Sequence, residues 1–182
     1  MHQRDPIQYC SHCGDYVSLL VPDGDDRTRH VCDSCGQIHY QNPKVVCGCI
    51  PVWQDRILLC KRAIQPRRGL WTVPAGFMEN GETIQQGAAR ETMEEACAEI
   101  VDPQLFGIYN LPRINQVYVM YRAELTAKDS FGVGSESLDV RLCTEADIPW
   151  QEIAFRVVHL TLERYLRERA CGTFSVTVED IL

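Results

Sequence analysis

Residues 76–98 read GFMENGETIQQGAARETMEEACA. Within this stretch and one residue beyond it stand six glutamates, Glu79, Glu82, Glu91, Glu94, Glu95 and Glu99, against one base, Arg90. The composition predicts a helix. Thr83 can cap its start, with Glu79 and Glu82 near the positive N-terminal end. Gln85, Gln86, Ala88, Ala89, Arg90, Glu91, Met93, Glu94, Glu95 and Ala96 are mostly good helix formers. On that helix Glu91 and Glu95 share a face one turn apart, with Glu94 beside them. Like charges so placed cost stability unless something positive lies between them. Mg²⁺ suits the position, because it prefers carboxylate oxygens and keeps waters for chemistry. A solvated face is the usual fate of an acidic run. Here the charge is one-sided, and the Pro74-Ala75-Gly76 turn after an apolar strand holds the helix entry.

The spacing is more specific than the charge. Gly76, five residues, Glu82, seven residues, then Arg90-Glu91-Thr92-Met93-Glu94-Glu95 resembles the Nudix box of the nucleoside diphosphate-X hydrolases. Thr92 departs from the usual aliphatic residue and Cys97 from the usual glycine; neither removes a carboxylate. The resemblance implies that Glu91 and Glu95, with the Ala75 backbone carbonyl and Glu94, hold a catalytic Mg²⁺ or Mn²⁺. Arg90 cannot be a ligand; it can pair with Glu82 and hold the loop against the helix. In several relatives the base that activates water comes from a flexible loop after the box. Gly132-Val-Gly-Ser-Glu136-Ser is expected to be such a mobile segment, which nominates Glu136; the plain alternative is a solvated loop glutamate. Lys61, Arg62, Arg67 and Arg68 are candidates for the substrate phosphates, some of them simply facing solvent.

The chain has 182 residues, 45% of them hydrophobic, and a formal charge of −7. That length suggests one main domain and a small appendage. The charge disfavours nucleic acid and anionic membrane as partners. No apolar run approaches the roughly 18 residues of a membrane span, and MHQRDPIQYC contains no apolar signal core, so a cytoplasmic location is expected. The appendage is the first part of the chain. Cys10-Ser-His-Cys13-Gly14 is echoed by Cys32-Asp-Ser-Cys35-Gly36. Two such knuckles around a hairpin (Val17–Val21, turn Pro22–Asp26) offer four soft ligands for a structural Zn²⁺. A redox pair is the lesser reading, and His12 and His30 are near enough to compete as ligands. Over residues 1–44, four basic side chains (Arg4, Arg27, Arg29, Lys44) face six aspartates, a balance of −2. Four thiolates and one Zn²⁺ add a further −2. Such a module repels phosphates, which favours a structural or dimerising role and leaves a homodimer open.

After Asn42-Pro43, strand-like runs cover Lys44–Trp53, Arg56–Arg62, Gln104–Tyr109, Gln116–Leu125 and Leu138–Cys143, with Leu70–Pro74 extended into the box. Cys47, Cys49 and Cys60 in these runs read as buried hydrophobes. A late helix spans Ala154–Arg169, with His159 on it structural rather than catalytic, and a short strand spans Thr173–Val178. The expected organisation is a ribbon over 1–43 and a hydrolase domain over 44–182. The fold class is α/β: the resemblance implies a Nudix α/β/α sandwich with a mixed sheet. With its ribbon, the whole chain looks like the zinc-ribbon Nudix hydrolases, which include NADH pyrophosphatases and a group similar to plant FAD/ADP-ribose pyrophosphatases. The Ser-Gln-Pro-Trp-Pro-Phe-Pro array of the NADH enzymes is missing. Tyr109-Asn-Leu-Pro-Arg-Ile-Asn-Gln-Val-Tyr118 stands there instead, which demotes NADH; IQPRRGLWTVPAGFMENGE, INQVYVMYRAEL and GSESLDVRL resemble the FAD/ADP-ribose group, which implies ADP-ribose or FAD as substrate. Hydrolysis of NADH or of NAD caps on RNA is the alternative within the class. A regulatory protein that senses a nucleotide without cleaving it is the alternative outside the class. Trp71, Phe77, Tyr109 and Tyr118 are candidate stacking partners for a base, against the usual fate of strand aromatics as core.

Overall fold

A three-stranded sheet opens the chain. β1 (Val17–Leu20) and β2 (Arg29–Cys32) pair antiparallel with Leu20 opposite Arg29, and β3 (Ile38–His39) joins β2. The turn between β1 and β2 is held by Asp25, whose carboxylate accepts from Arg29 Nε at 2.8 Å and from the Asp26 and Arg27 amides. This computed structural model describes residues 7–182; residues 1–6 of the expected ribbon, with Arg4 and Asp5 of its charge balance, lie outside them. The chain divides into two compact units between Asn42 and Pro43.

The second unit is built on a mixed eight-stranded sheet. Its elements are β4 (Lys44–Trp53), β5 (Arg56–Arg62), β6 (Trp71–Thr72), β7 (Ala75–Phe77), α1 (Ile84–Ala96), β8 (Ile100–Leu111), β9 (Gln116–Leu125), β10 (Ser137–Cys143), α2 (Arg156–Cys171) and β11 (Thr177–Asp180). The main path runs β10-β5-β4-β9-β8-β11, with β4–β9 and β8–β11 parallel. The helices cover opposite faces, so strands in the middle bury both sides and read as continuous apolar runs. In β4, Cys47 and Cys49 join Ala88 and Ala123 on the α1 face. Val46, Ile50 and Val52 join Val158 and Leu162 on the α2 face. Leu58 and Cys60 of β5 likewise oppose Ile57 and Leu59.

One departure from simple pairing positions the box. β4 and β5 pair only beside their hairpin, Val52 with Ile57 and Trp53 with Arg56. Further out they diverge: Val46–Gly48 pairs with β7, and Cys60–Lys61 pairs with β6. The 71–77 segment is therefore wedged into the sheet, and it carries Ala75 and Gly76 to the face that α1 covers. The capping box is complete: the Thr83 hydroxyl accepts from the Gln86 amide at 3.2 Å, and the Gln86 side chain accepts from the Thr83 amide at 2.8 Å. Buried Thr92 fits because its hydroxyl donates to the Ala88 carbonyl at 2.8 Å, leaving its methyl to pack. The helix ends at Cys97, which adopts the left-handed conformation with φ 47°. That is the position where the resemblance has glycine, and the backbone explains the preference.

Several expected bounds shift. β8 begins at Ile100 rather than Gln104, because a bulge around Asp102 (φ 51°) lets the strand continue across Asp102-Pro103. The last strand is Thr177–Asp180, set by parallel pairing with Gly107–Asn110. The late helix is shifted by two residues at each end, starting at Arg156 and running on to Cys171. The aromatics need correction. Trp71, Tyr109 and Tyr118 are buried in the core on the α2 face and are not free to stack on a ligand. Phe77 alone of the four is exposed, with the Lys44 ammonium 4.6 Å over its ring. No helix of the described residues is long and apolar enough to cross a membrane.

Candidate active site and metal centre

The chemistry-bearing end of α1 is held by Arg90. Its guanidinium donates to both Glu82 oxygens at 3.0 Å, to Glu91 Oε1 at 2.8 Å, to Glu94 Oε2 at 2.9 Å and to the Phe77 carbonyl at 3.1 Å. Glu82 in turn accepts the Glu79 amide at 2.7 Å. One planar fork thus ties the 77–82 loop to the helix carboxylates, which a lysine cannot do. Arg90 holds the Glu82 carboxyl below its usual range. Glu94 remains exposed beside it.

Glu91 and Glu95 are different. They are only 8% and 5% exposed. Gly76 makes room for Glu91: a Cβ added there would overlap the Glu91 carboxylate. Burial raises the Glu91 pKa; Arg90 opposes this, and the charges of Glu94 and Glu136 add to it. Burial, then the charges of Glu91 and Glu136, push Glu95 up to about 8, against a partial offset from Arg62 and the Ala75 backbone amide. Glu95 Oε2 is buried with no hydrogen-bond partner. A buried carboxylate oxygen without a donor, beside a second buried carboxylate, is an arrangement that a cation completes. The residues therefore fit a hard divalent ion.

Glu136 stands on a separate loop with its side chain exposed, near enough for its charge to act on Glu91 and Glu95, and that loop is docked where a free one was expected. The Gly132 amide donates to the Ala96 carbonyl at 2.7 Å and the Gly134 amide to the Glu95 carbonyl at 3.2 Å. The loop is docked on the end of α1. Of the four bases nominated for phosphates, Arg62 is buried, Lys61 is half-buried, and Arg67 and Arg68 face solvent. Arg62 Nε donates to the Pro66 carbonyl at 2.9 Å, its guanidinium lies over Phe155, and its charge acts on Glu95. Among the described residues it forms no ion pair. Cys47, Cys49 and Cys60 are buried, and His159 stands apart from the cluster beside Trp150 and Glu163. The loop docking escapes sequence reasoning; its one visible signal is the Gly-x-Gly spacing just before Glu136.

The ribbon brings its four thiols together. The sulfurs of Cys10, Cys13, Cys32 and Cys35 all lie within 4.8 Å of one another. Cys10–Cys35 is 3.8 Å and Cys13–Cys32 is 3.4 Å. A tetrahedron with bonds of about 2.3 Å has edges of about 3.8 Å, so the cluster fits Zn²⁺. Amides of Cys35 and Ser34 pull the Cys32 thiol down to about 7, while hydrogen bonds among the crowded thiols push Cys13 and Cys35 up. His12 contributes only its backbone amide, 3.4 Å from Cys10 Sγ, and neither His12 nor His30 belongs to the cluster.

The wedged box and the cysteine cluster correspond to two family profiles. One, described as the Nudix N-terminal zinc ribbon, matches residues 8–41; the other, the NUDIX domain, matches residues 42–161. The chain belongs to the NUDIX family. It is 53% identical to a NUDIX hydrolase of Nitrosomonas europaea, whose crystal structure it matches with a TM-score of 0.89 over 96% of this chain and 100% of that one. A NAD-capped RNA hydrolase NudC of Haemophilus influenzae is 31% identical over 175 residues, 90% of this chain and 63% of that protein. Its counterpart in Vibrio vulnificus is 27% identical over 81% of this chain and 55% of that protein. The chain spans about half the length of the curated relatives it matches. A bifunctional NMN adenylyltransferase/ADP ribose pyrophosphatase of Francisella tularensis shares the fold, with a TM-score of 0.61 and 19% identity over 71% of this chain and 42% of that one.

Proposed function

We propose that this chain is a pyrophosphatase that hydrolyses the diphosphate of a nucleoside diphosphate-X compound, with ADP-ribose or FAD as the preferred class. One observation carries the reading: two buried glutamates stand together on α1, one with an unpartnered oxygen, and both feel the charge of a third, exposed glutamate on a separate loop. Glu91, Glu95, Glu94 and the Ala75 carbonyl would hold Mg²⁺ or Mn²⁺. The ion, when bound, neutralises charge on the diphosphate oxygens. Arg90 and Glu82 keep the ligand helix and its loop in register. Arg62, unpaired and beside Glu95, supplies positive charge for a phosphate. Glu136 takes a proton from the attacking water, the new P–O bond forms, and the bridging P–O bond breaks. ADP-ribose then yields AMP and ribose 5-phosphate, and FAD yields AMP and FMN. The ribbon, residues 1–43, serves as a zinc-held structural or dimerising module ahead of the catalytic domain, 44–182.

The similarity to NAD-capped RNA hydrolases supports a second reading, cleavage of NAD(H) or of an NAD cap. The acidic ribbon and the missing aromatic array weigh against it. Turnover of ADP-ribose, FAD, NADH and an NAD-capped RNA with Mg²⁺ or Mn²⁺, with products resolved by chromatography, separates the readings. Glu136→Gln should lower kcat by about 10²–10⁴ with KM nearly unchanged. Tight nucleotide binding with no metal-dependent turnover of any of these would replace the enzyme by a nucleotide sensor.

A further inference from the structure

We infer that Gly134 is a positioning residue: its missing side chain lets the loop seat on the end of α1 and fixes the backbone of Glu136 beside the helix that carries the buried glutamates. The inference rests on the role proposed above for Glu136. The last carbonyls of a helix have no partner within it. Here two of them, on Glu95 and Ala96, accept from Gly134 and Gly132. The same turn of helix carries the Glu94 and Glu95 side chains, so loop and ligand helix share one set of backbone bonds.

Gly134 is buried, and nothing larger fits. A Cβ there would fall far inside the van der Waals contact distance of the Glu94 carbonyl oxygen and 2.8 Å from the carbonyl carbons of Glu94 and Glu95. These are backbone atoms of a capped helix and cannot swing aside. Gly132 differs, since its added Cβ would meet only the Cys97 Cβ at an ordinary 3.7 Å. Beyond Gly134 the chain is pinned twice more. The Ser137 amide donates to the Gly134 carbonyl at 3.1 Å, and the Ala63 amide donates to the Glu136 carbonyl at 2.7 Å. Phe131, partly buried against the core cluster that includes Leu58, Ala96 and Val140, anchors the loop's entry. Glu136 is thus held between the end of α1 and the exit of β5, in place without a closing lid.

The test uses the full chain with Mg²⁺ and ADP-ribose, FAD and NADH as separate substrates. Gly134→Ala should lower kcat by about 10–100-fold with KM within about twofold, and amides 132–137 should lose hydrogen-exchange protection while α1 keeps its own. Phe131→Ala, which leaves the α1 carbonyls untouched, should show a weaker version of both effects, and it serves if Gly134→Ala fails to fold. Val133→Ala, with its side chain exposed between the glycines, should keep the rate. Added to Glu136→Gln, Gly134→Ala should cost nothing further, because both act through one carboxylate. Wild-type exchange in Gly134→Ala, a wild-type rate despite loss of protection, or full additivity with Glu136→Gln would each overturn the inference while a slow Glu136→Gln variant left the function standing. A Glu136→Gln variant at full rate would instead remove the role of Glu136, and this inference with it.

Discussion

The ribbon and the box both gather ligands, but they solve opposite problems. In residues 7–42 the only buried hydrophobic side chains are Cys10 and Cys32, both members of the four-cysteine cluster itself. Tyr9, Tyr16, Leu19, Leu20, Val21 and Tyr40 are exposed. A unit with so little core would draw its folding energy from a Zn²⁺ held by those cysteines. The box sits on a sheet buried on both faces, with an apolar core of its own to hold it together. Its two carboxylates are costs the fold carries, placed where burial raises their pKa and leaves an oxygen unpartnered. One metal would make a structure; the other would use a structure already made.

The largest effect that separates the two lies in the ribbon. Chelation of zinc, or Cys32→Ser, should unfold residues 7–42, since thiolate sites of this kind contribute apparent binding energies of about 10–16 kcal/mol. Loss of dispersed amide resonances from the ribbon, with the cooperative melt of the α/β unit retained, is the expected result. Ribbon resonances that stay dispersed after chelation would break the contrast.

Next comes the box. Glu95→Gln, and to a similar degree Glu91→Gln, should reduce Mg²⁺-dependent turnover by about a thousandfold or more without loss of fold. Each change removes a buried charge at constant volume, so metal-free stability should hold or rise. Unaltered rates in both variants would move the site elsewhere.

A smaller effect follows from the same charge. Glu95 has its folded pKa raised to about 8. In the folded state it therefore binds its proton more tightly than in the unfolded chain. Its stabilising effect is complete below the unfolded value, near 4.5, and is lost as pH rises through about 8. Metal-free protein should become less stable between about pH 5 and 8, by on the order of a few kcal/mol at most. Saturating Mg²⁺ should flatten that slope, and Glu95→Gln should reduce it. Denaturant melts at a series of pH values, with and without Mg²⁺, read this directly; equal slopes with and without the ion would contradict it.

The smallest expected change is Cys97→Gly. Cys97 holds φ 47° at the end of α1, a conformation costing an L-residue about 1–2 kcal/mol. Glycine removes that strain but gains entropy in the unfolded chain, so a net stabilisation of about 1 kcal/mol or less is expected. That is a rise of a few degrees in Tm, visible by calorimetry.

The ligand inventories are legible in the sequence because they are local. Cys-x-x-Cys turns and an i, i+4 glutamate pair need only a few residues to define a geometry. The Thr83 cap, the hairpin at Gln54-Asp55 and the strands Lys44–Trp53 and Gln116–Leu125 are legible for the same reason. What tertiary structure decided is whatever depends on residues far apart in the chain. β7 pairs with β4 instead of letting β5 run alongside it, and this sets Gly76 beneath Glu91. Trp71, Tyr109 and Tyr118 turn to the α2 face, a choice of side that an apolar strand buried on both faces does not declare. The Glu136 loop reads as mobile because it is rich in glycine. One of those glycines, Gly134, leaves the space that brings the loop backbone against the carbonyls of Glu95 and Ala96, some 40 residues earlier in the chain. Sequence spacing determines which side chains can share a turn of helix or a knuckle; close backbone approach between distant segments is settled only by packing, because its cause is the absence of an atom.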